Sequence, residues 1–385
     1  MKIIAVVGGG SGGVSVSNHL AYKLRGQVKD GTVRILLLEG SPRHYYQPGF
    51  LEVVFNVMSP QGTYRNENRV LAEGVTLIPE YASRIDLEHH SIVTEKQTIN
   101  YDYIIIATGA SYDFDAIPGL KEGTHNFYTF DGSIELKNAL NHFNSGKIVV
   151  AVASMPYKCT PAPLEAVFLI NDYFSRRGIR DKVKIEYIYP MPMAFPDKGI
   201  SDIAIRMFKE KNIESNLGFQ LKSVDNEKHE LVDQAGKHSS FDLAIIVPPH
   251  RGNKLIENSG FGDKMGWIPV DAFTLEIKDH ENAYAIGDAT NLQVSKAGSV
   301  ADAEAIVVAE RITQSITGEE PVSTYDGSGG ALMITGLDKA SMITSSYTRK
   351  PVFMPESYSF YWIKILYNNL YWNMTAKPVL NGVVQ

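Results

Sequence analysis

The first twenty residues contain the feature that most constrains the fold, an apolar run that ends in a glycine-rich turn. The run KIIAVV leads into Gly8-Gly9-Gly10-Ser11-Gly12-Gly13 and then into a helix-forming segment. In a parallel α/β sheet, Gly8 permits the sharp turn, Gly10 lets a pyrophosphate approach the backbone, and Gly13 lets the helix pack closely on the sheet. Ser11 and Gly12 open the helix, whose free N–H groups attract a phosphate. The sequence therefore predicts a dinucleotide-binding turn.

The second apolar run, VRILLLEG, ends in an acidic residue. Glu39 lies 26 residues after Gly13, somewhat more than the usual spacing of about 20. The polar segment from Gly26 to Gly31 accommodates the difference as a longer loop. An acid at this strand end binds a ribose hydroxyl and disfavours a 2′-phosphate. The alternative is a solvated strand end; with the glycines in place, we expect the binding role.

Three later segments extend the same site. The buried-strand run YDYIIIATGA ends in Thr108-Gly109, and NAYAIGDAT ends in Gly287-Asp288 ahead of a predicted helix. Asp288 is placed to hold a ribityl hydroxyl, and the helix start near Lys296 favours the negative charge of a reduced flavin. Ala82 is small enough to let an adenine approach the backbone.

Composition excludes several classes of protein. A chain of 385 residues is expected to form two or three domains. Its net charge of −6 argues against a nucleic-acid-binding protein, which would be expected to carry an excess of basic residues. The first apolar run is interrupted by glycines, which argues against a secretory signal, and no run of about 18 apolar residues predicts a spanning helix. No metal site is predicted.

The segment near residue 150, where a nicotinamide-binding turn would stand, has a different composition. It reads KIVVAVASMPYKCTPAPLE, with three prolines and no glycine after the strand. Prolines remove N–H donors, so this turn is poorly suited to a pyrophosphate and NADH is disfavoured as the electron donor. It also holds the chain's single cysteine, Cys159, so no intramolecular disulfide is possible. Lys158 and a helix starting near Pro163 are expected to lower the pKa of the thiol; the alternative is a small buried apolar residue.

The N-terminal glycine turn, ATG and the late GD together resemble the FAD domain of the two-dinucleotide-binding-domain flavoproteins. The motif PYKCTPAPLE resembles the redox-cysteine turn of sulfide:quinone oxidoreductases and of the flavoprotein subunit of flavocytochrome c sulfide dehydrogenase. The resemblance implies FAD as cofactor, sulfide and a membrane quinone as substrates, Cys159 as the residue that handles sulfide sulfur, and Glu165 as a proton acceptor. Glu165 as a solvated helix residue remains the alternative.

One expected residue of that family is missing. Its second redox cysteine lies in a segment of the form CFIETG, and the matching segment here begins at Ala331. Three explanations fit: a homologue that works through Cys159 alone, an engineered or degenerate form that binds FAD but turns over poorly, or an enzyme for another donor. The sequence leaves all three open.

The tail SYSFYWIKILYNNLYWNM is too short to cross a bilayer but is rich in tyrosine and tryptophan. At helical spacing, Phe360, Ile363, Tyr367, Leu370 and Met374 share one apolar face, with Lys364 and Asn368-Asn369 elsewhere. These residues suit a water–lipid boundary. A helix packed on the protein's own core or at a dimer interface is the alternative; the resemblance favours a membrane anchor that opens a quinone route.

We therefore predict an α/β protein of two Rossmann-like domains with a C-terminal membrane-contact segment. Residues 1–110 and 280–320 form a discontinuous FAD domain, residues 111–279 form the second domain with the redox cysteine, and residues 321–385 serve quinone and membrane contact. The predicted function is FAD-dependent sulfide:quinone oxidation, cytoplasmic and peripheral on the membrane. The alternatives are a type II-like NADH:quinone oxidoreductase and a catalytically impaired FAD-binding homologue.

Overall fold

The structure is a computed structural model that describes residues 1–376. The strands, in chain order, are β1 Lys2–Val7, β2 Val33–Leu38, β3 Arg43–Tyr45, β4 Tyr64–Asn66, β5 Val75–Ile78, β6 Ala82–Asp86, β7 Ser91–Thr94, β8 Thr98–Asn100, β9 Tyr103–Ile106, β10 Ala110–Tyr112, β11 Gly146–Val152, β12 Val183–Tyr189, β13 Glu214–Leu217, β14 Leu221–Asp225, β15 Glu230–Asp233, β16 His238–Ser240, β17 Leu243–Val247, β18 His250–Gly252, β19 Ala283–Ala285, β20 Gly329–Gly336, β21 Lys339–Ser345 and β22 Val352–Phe353.

The α-helices, in chain order, are α1 Ser11–Lys23, α2 Arg25–Lys29, α3 Gly49–Val54, α4 Glu67–Val70, α5 Leu120–Gly123, α6 Phe130–His142, α7 Ala162–Arg176, α8 Lys198–Glu210, α9 Lys254–Ser259, α10 Gly298–Thr317 and α11 Tyr358–Met374. Short 3₁₀ turns lie at Pro60–Thr63, Phe114–Ala116, Arg180–Lys182 and Gly287–Ala289.

The first sheet is parallel, with strand order β19-β9-β1-β2-β5. Its apolar strands are covered on both faces, which explains why they contain almost no polar residues. Ile4 and Val6 pack with α1 and α10, whereas Ala5 and Val7 face the antiparallel layer β6-β7-β8. Because β19 comes far along the chain and pairs with β9, two separate segments complete one sheet.

The second sheet is also parallel, with strand order β13-β12-β11-β17. Ile148 and Val150 pack with the buried face of α7, and Val149 and Ala151 pack with the antiparallel layer β14-β15-β16. The two halves therefore repeat one design, a parallel sheet between helices and a small antiparallel layer. The predicted α/β fold class with two Rossmann-like units is confirmed.

The C-terminal part adds an antiparallel sheet, β20-β21-β22, followed by α11. Strand β20 packs on α7, and α11 packs on β21. The described part of the chain contains no helix that is both long and apolar enough to cross a bilayer. Residues 377–385 of the predicted C-terminal segment lie outside the described residues.

Candidate active site

The N-terminal turn has the conformation that its glycines predict. Gly8 has a φ of +103°, and a Cβ there would lie 2.5 Å from the carbonyl oxygen of Ala107. A Cβ on Gly13 would lie 1.8 Å from the carbonyl oxygen of Gly8. These two positions exclude a side chain because the turn, the end of β9 and the start of α1 are in direct contact. A Cβ on Gly10 would meet no atom within 4 Å, so its backbone faces open space.

Two acidic side chains lie behind this turn. Glu39 accepts hydrogen bonds from the N–H groups of Gly9 (2.8 Å) and Ser41 (2.7 Å), so its carboxylate is fixed at the end of β2. Glu67 was not predicted; it is buried, and neither of its oxygens has a hydrogen-bond partner among the described residues. Burial, and then the charge of Glu39, raise the pKa of Glu67 to about 8. Sequence alone gave no indication of Glu67, because its burial depends on long-range packing.

A central cavity of about 430 Å³ lies where the two sheets and the C-terminal part meet. The first domain contributes Gly10, Ser11, Gly12, Gly109, Gly287 and Asp288. The turn after β11 and helix α7 contribute Lys158, Cys159, Ala162 and Glu165. The C-terminal part contributes Ala331, Leu332, Met342, Lys364, Tyr367 and Tyr371. Residues far apart in the chain therefore share one cavity.

Most of the predicted site residues line this cavity, but some do not. Gly8, Gly13, Glu39 and Thr108 lie behind or beside the wall, and Ala82 lies in β6, where it pairs with Thr94. The hydroxyl of Thr108 is buried and has no hydrogen-bond partner within residues 1–376. An unpaired buried hydroxyl and the open backbone at Gly10 are what a polar ligand in this turn would satisfy. The donor set thus fits a dinucleotide cofactor.

The cysteine occupies a left-handed backbone conformation, with a φ of +56°. Residues other than glycine rarely adopt this region, and such outliers cluster at functional sites. The N–H of Cys159 donates to the carbonyl of Lys296 (2.7 Å), which ties the turn to the segment ahead of α10. Tertiary contacts hold the thiol at the cavity wall.

The predicted net lowering of the thiol pKa was wrong, although the N–H of Ala162 at the start of α7 does lower this pKa, as expected of a helix start. Burial, and then the charge of Glu165, raise the pKa of Cys159 to about 12; the cation that opposes this shift is Lys364 of α11. The ammonium of Lys158 instead donates to Gln47 (2.6 Å) and lies 4.6 Å from the ring centroid of Tyr112. Lys158 keeps an electrostatic interaction with Cys159, but the cation that opposes the raised thiol pKa is the distant Lys364.

Glu165 lies in the first turn of α7 and is buried. One of its oxygens accepts a hydrogen bond from the N–H of Ile334 (2.8 Å) in β20, so the acid links α7 to the C-terminal sheet. Burial raises its pKa, against the opposing charge of Lys364. A buried carboxyl with a raised pKa beside a thiol is suited to accept a proton, and the alternative of a solvated Glu165 was wrong.

Lys296 is buried, and its ammonium donates to the carbonyls of Asp288 (3.1 Å) and Thr290 (2.6 Å). It also lies 4.2 Å from the ring centroid of Trp267. Burial lowers its pKa. Lys296 therefore stabilises the conformation of the loop that contains Asp288.

Helix α11 contributes polar residues to the interior, on a different face from the predicted apolar one. Lys364, Asn368 and Tyr371 face the protein, whereas Trp362 and Leu366 are 67% and 57% exposed. Asn368 donates to Glu52, and its side-chain oxygen accepts from Tyr46. The spacing of Lys364, Asn368 and Tyr371 along one helix face is the signal that could have identified them. The helix is apolar outside and polar inside.

A second cavity of about 840 Å³ lies beside the turn that carries the cysteine. Met155, Tyr157 and Thr160 line it on one side, and Tyr347 and Arg349 line it on the other. Ala331 and Lys296 line both cavities, so the position of the missing second cysteine lies between them.

Comparisons with known proteins agree with this geometry. The chain is similar to the mitochondrial sulfide:quinone oxidoreductase of Schizosaccharomyces pombe, at 28% identity over 373 residues that cover 90% of this chain and 81% of that protein. It is also similar to the mitochondrial sulfide:quinone oxidoreductase of Mus musculus, at 26% identity over 398 residues that cover 98% of this chain and 87% of that protein.

Among solved structures, the sulfide:quinone oxidoreductase from Aquifex aeolicus matches with a TM-score of 0.85 and 19% identity, covering 100% of this chain and 96% of that one. This match supports the fold, which is of the flavin- or dinucleotide-binding type, and the resemblance predicted from the motifs is confirmed. The family model for pyridine nucleotide-disulphide oxidoreductases matches residues 2–310. The chain belongs to the pyridine nucleotide-disulphide oxidoreductase family.

Proposed function

We propose that this protein is an FAD-dependent oxidoreductase of the sulfide:quinone type. The observation that carries the proposal is the position of Cys159, held at positive φ in the wall of a cavity that the dinucleotide turn also lines. The similarity to sulfide:quinone oxidoreductases over most of the chain supports the same assignment.

The residues that would hold FAD lie along the carboxyl edge of the first sheet. The backbone of Gly10, Ser11 and Gly12 at the start of α1 would bind the pyrophosphate. Glu39 would bind the adenosine ribose, with Ala82 near the adenine, as the sequence predicts. When bound, FAD supplies a two-electron acceptor.

At the other end of the cofactor site, Thr108-Gly109, Gly287 and Asp288 would border the ribityl chain and the ring. Lys296 would fix that loop through its bonds to the carbonyls of Asp288 and Thr290. The buried cation would also favour negative charge nearby. Each of these assignments is part of the proposal.

The substrate end is formed by Cys159 and Glu165. The thiolate of Cys159 is the reactive form of the residue. Joining its sulfur to the sulfur of sulfide would require the two-electron acceptor that FAD supplies when bound, since both sulfurs start at the sulfide oxidation level. Glu165 would accept the proton that this sulfur releases, because its carboxyl is buried, faces the same cavity and has a raised pKa. The apolar side chains of Leu332 and Met342 also line this cavity.

The quinone would reach the cavity from α11. Tyr367 and Leu332 line the cavity, and Tyr367 is also 41% exposed, so it joins the interior to the outer face of the helix. That face carries Trp362, Ile363 and Leu366, all largely exposed. Exposed aromatic and aliphatic side chains on one helix face suit the headgroup region of a membrane. We propose peripheral binding there; the cytoplasmic side stays a prediction.

An NADH:quinone oxidoreductase is the second candidate, and the turn after β11 argues against it. Its Pro156 and Pro161 have no N–H to offer a pyrophosphate, and the N–H of Cys159 is already used by the carbonyl of Lys296. The impaired-homologue alternative depends on Ala331, which cannot form the disulfide of the two-cysteine mechanism.

One anaerobic titration separates these functions. One sample of the protein with bound flavin receives sulfide and then a soluble quinone, a second sample receives NADH alone, and flavin absorbance is followed in both. We expect sulfide to bleach the flavin, NADH to leave it oxidised, and quinone to restore the absorbance.

The Cys159→Ser variant should retain flavin and lose bleaching by sulfide by about 100-fold or more. Bleaching of equal rate in that variant, or by NADH alone, would contradict the proposal. Bleaching without recovery by quinone would favour the impaired homologue.

A further inference from the structure

The C-terminal helix delivers a buried lysine to the cavity that holds the cysteine. The side chain of Lys364 is 14% exposed and lines the central cavity together with Cys159 and Glu165. Its ammonium lies 3.8 Å from an oxygen of Glu52 and makes no hydrogen bond within the described part of the chain. A buried ammonium with unused donors is costly unless a negative group accepts them.

The other cavity lysines are already engaged. Lys158 donates to Gln47, and Lys296 donates to two backbone carbonyls. Of these three lysines, Lys364 is the one whose ammonium donates no hydrogen bond to an uncharged acceptor within residues 1–376. It is therefore the cation that is free to pair with a new negative charge at the sulfur.

The charges that face Cys159 come from several elements. Glu165 of α7 and Asp288 after β19 are negative, Lys364 of α11 opposes them, and Lys158 beside the cysteine also interacts electrostatically with the thiol. Tyr46 and Tyr128 also lie within electrostatic range of the thiol. Lys364 itself faces Glu165, Glu52, Tyr367 and the thiol. With Glu165 and Glu52 ionised, Lys364 faces two negative charges before the thiol loses its proton.

We propose that Lys364 is the positioning residue for the sulfur anion: its ammonium is the counter-ion of the Cys159 thiolate. This inference rests on the proposed function, in which Cys159 binds sulfide. The packing of α11 on the rest of the protein then places the positive charge of Lys364 beside the sulfur of Cys159. A helix whose outer face suits a membrane thereby controls the chemistry on its inner face.

The activating step is a proton transfer that balances without an external reagent. The thiol of Cys159 breaks its S–H bond, the carboxylate of Glu165 gains the proton, and the cluster keeps its total charge. One negative charge moves from Glu165 to the sulfur. Lys364 remains protonated throughout and faces whichever of the two groups carries the charge.

The single cysteine makes a direct test possible, because iodoacetamide reports on Cys159 alone. Alkylation rates are measured by mass spectrometry from pH 7 to 10 on the full chain with and without bound flavin. Removing an opposite charge that acts on a thiol raises its pKa, and a rise of one unit lowers the thiolate fraction about tenfold. We therefore expect Lys364→Met to react about tenfold more slowly at a given pH, and Lys364→Arg to restore the rate to within about threefold.

Controls exclude a merely structural effect. Lys350→Met removes an exposed lysine of the same C-terminal part and should leave the rate unchanged. If Lys364 only supported packing, its loss would loosen the cavity and make alkylation faster. Glu52→Gln keeps a side-chain acceptor for Asn368 but removes the anion that competes with the thiolate for Lys364. We expect it to accelerate alkylation several-fold. The same variant tests the inference if Lys364→Met does not fold.

Unchanged or faster alkylation in Lys364→Met, or no acceleration in Glu52→Gln, would overturn the inference. The sulfide titration of the unsubstituted protein tests the proposed function separately. The two tests can disagree. If alkylation depends on Lys364 but sulfide does not bleach the flavin, the ion pair is retained and sulfide is rejected as the substrate.

Discussion

The hydroxyl of Tyr371 lies 2.9 Å from the hydroxyl of Ser11, which joins the C-terminal helix to the dinucleotide turn. The same tyrosine hydroxyl lies 2.6 Å from Nε2 of His44, and Nδ1 of that histidine lies 2.8 Å from the carbonyl oxygen of Gly9. Helix α11 is therefore part of the wall of the central cavity.

Removing the tyrosine hydroxyl should weaken both the fold and flavin binding. Tyr371→Phe leaves the buried His44 nitrogen and the Ser11 hydroxyl without this partner, which costs about 1–3 kcal/mol of unfolding free energy. We expect urea unfolding to show this loss and flavin fluorescence to show faster flavin release. The control is Tyr358→Phe, because Tyr358 lies on the same helix and is 59% exposed. Equal flavin release in both variants would contradict the prediction.

Deleting α11 should affect more than membrane binding. The sequence alone predicts that removal of residues from about 356 onward leaves FAD in place; because Lys364, Tyr367 and Tyr371 line the cavity, we now expect weaker flavin retention as well.

The double variant Trp362→Ser, Leu366→Ser changes only exposed side chains. It should lose binding to anionic lipid vesicles in a flotation assay and keep its flavin. Flavin loss from this double variant, or full flavin retention after deletion of α11, would show that the outer and inner faces of α11 do not have separate roles.

Two glycines of the N-terminal turn should respond differently to alanine. In Gly13→Ala the new Cβ would lie 1.8 Å from a backbone oxygen, so we expect a loss of several kcal/mol in stability and little soluble protein. In Gly10→Ala no atom lies within 4 Å of the new Cβ, so the fold should persist. Flavin content should nevertheless fall, because the methyl group occupies the space that a pyrophosphate requires. Normal flavin content in Gly10→Ala would contradict the assigned binding position.

A buried acid should make stability depend on pH. Burial raises the pKa of Glu304 to about 8, while one oxygen accepts a hydrogen bond from the N–H of Gly287 (2.5 Å). An unfolded glutamate has a pKa of about 4.3. Between these values the folded protein holds a proton that the unfolded chain has released, so stability falls as pH rises, by at most about 1.4 kcal/mol per pH unit.

The neutral variant Glu304→Gln keeps an acceptor for Gly287 and cannot titrate. Its urea unfolding free energy should therefore decline less between pH 5 and 8 than that of the unsubstituted protein. Glu319→Gln, at an exposed position, should retain the original pH dependence. Parallel pH curves for the unsubstituted protein and Glu304→Gln would reject the assignment.

The sequence by itself determined the fold class and the position of the first turn, because short-range geometry decides both. Apolar runs such as YIII read as buried parallel strands, and a turn that excludes any Cβ at Gly8 and Gly13 has to be glycine. The local sequence also showed no glycine turn for a second nucleotide, whereas the predicted role of Cys159 came from the resemblance to a family.

Only the tertiary structure decided which charges act on the thiol and which face of α11 points inward. Lys158, adjacent in sequence, turns to Gln47, whereas Lys364, some two hundred residues away in the chain, opposes the raised pKa of Cys159. The buried acids Glu52 and Glu67 could not be found from sequence, since each lies in an ordinary polar or mixed segment. Electrostatic interaction depends on distance through space and on burial, and neither is determined by separation along the chain.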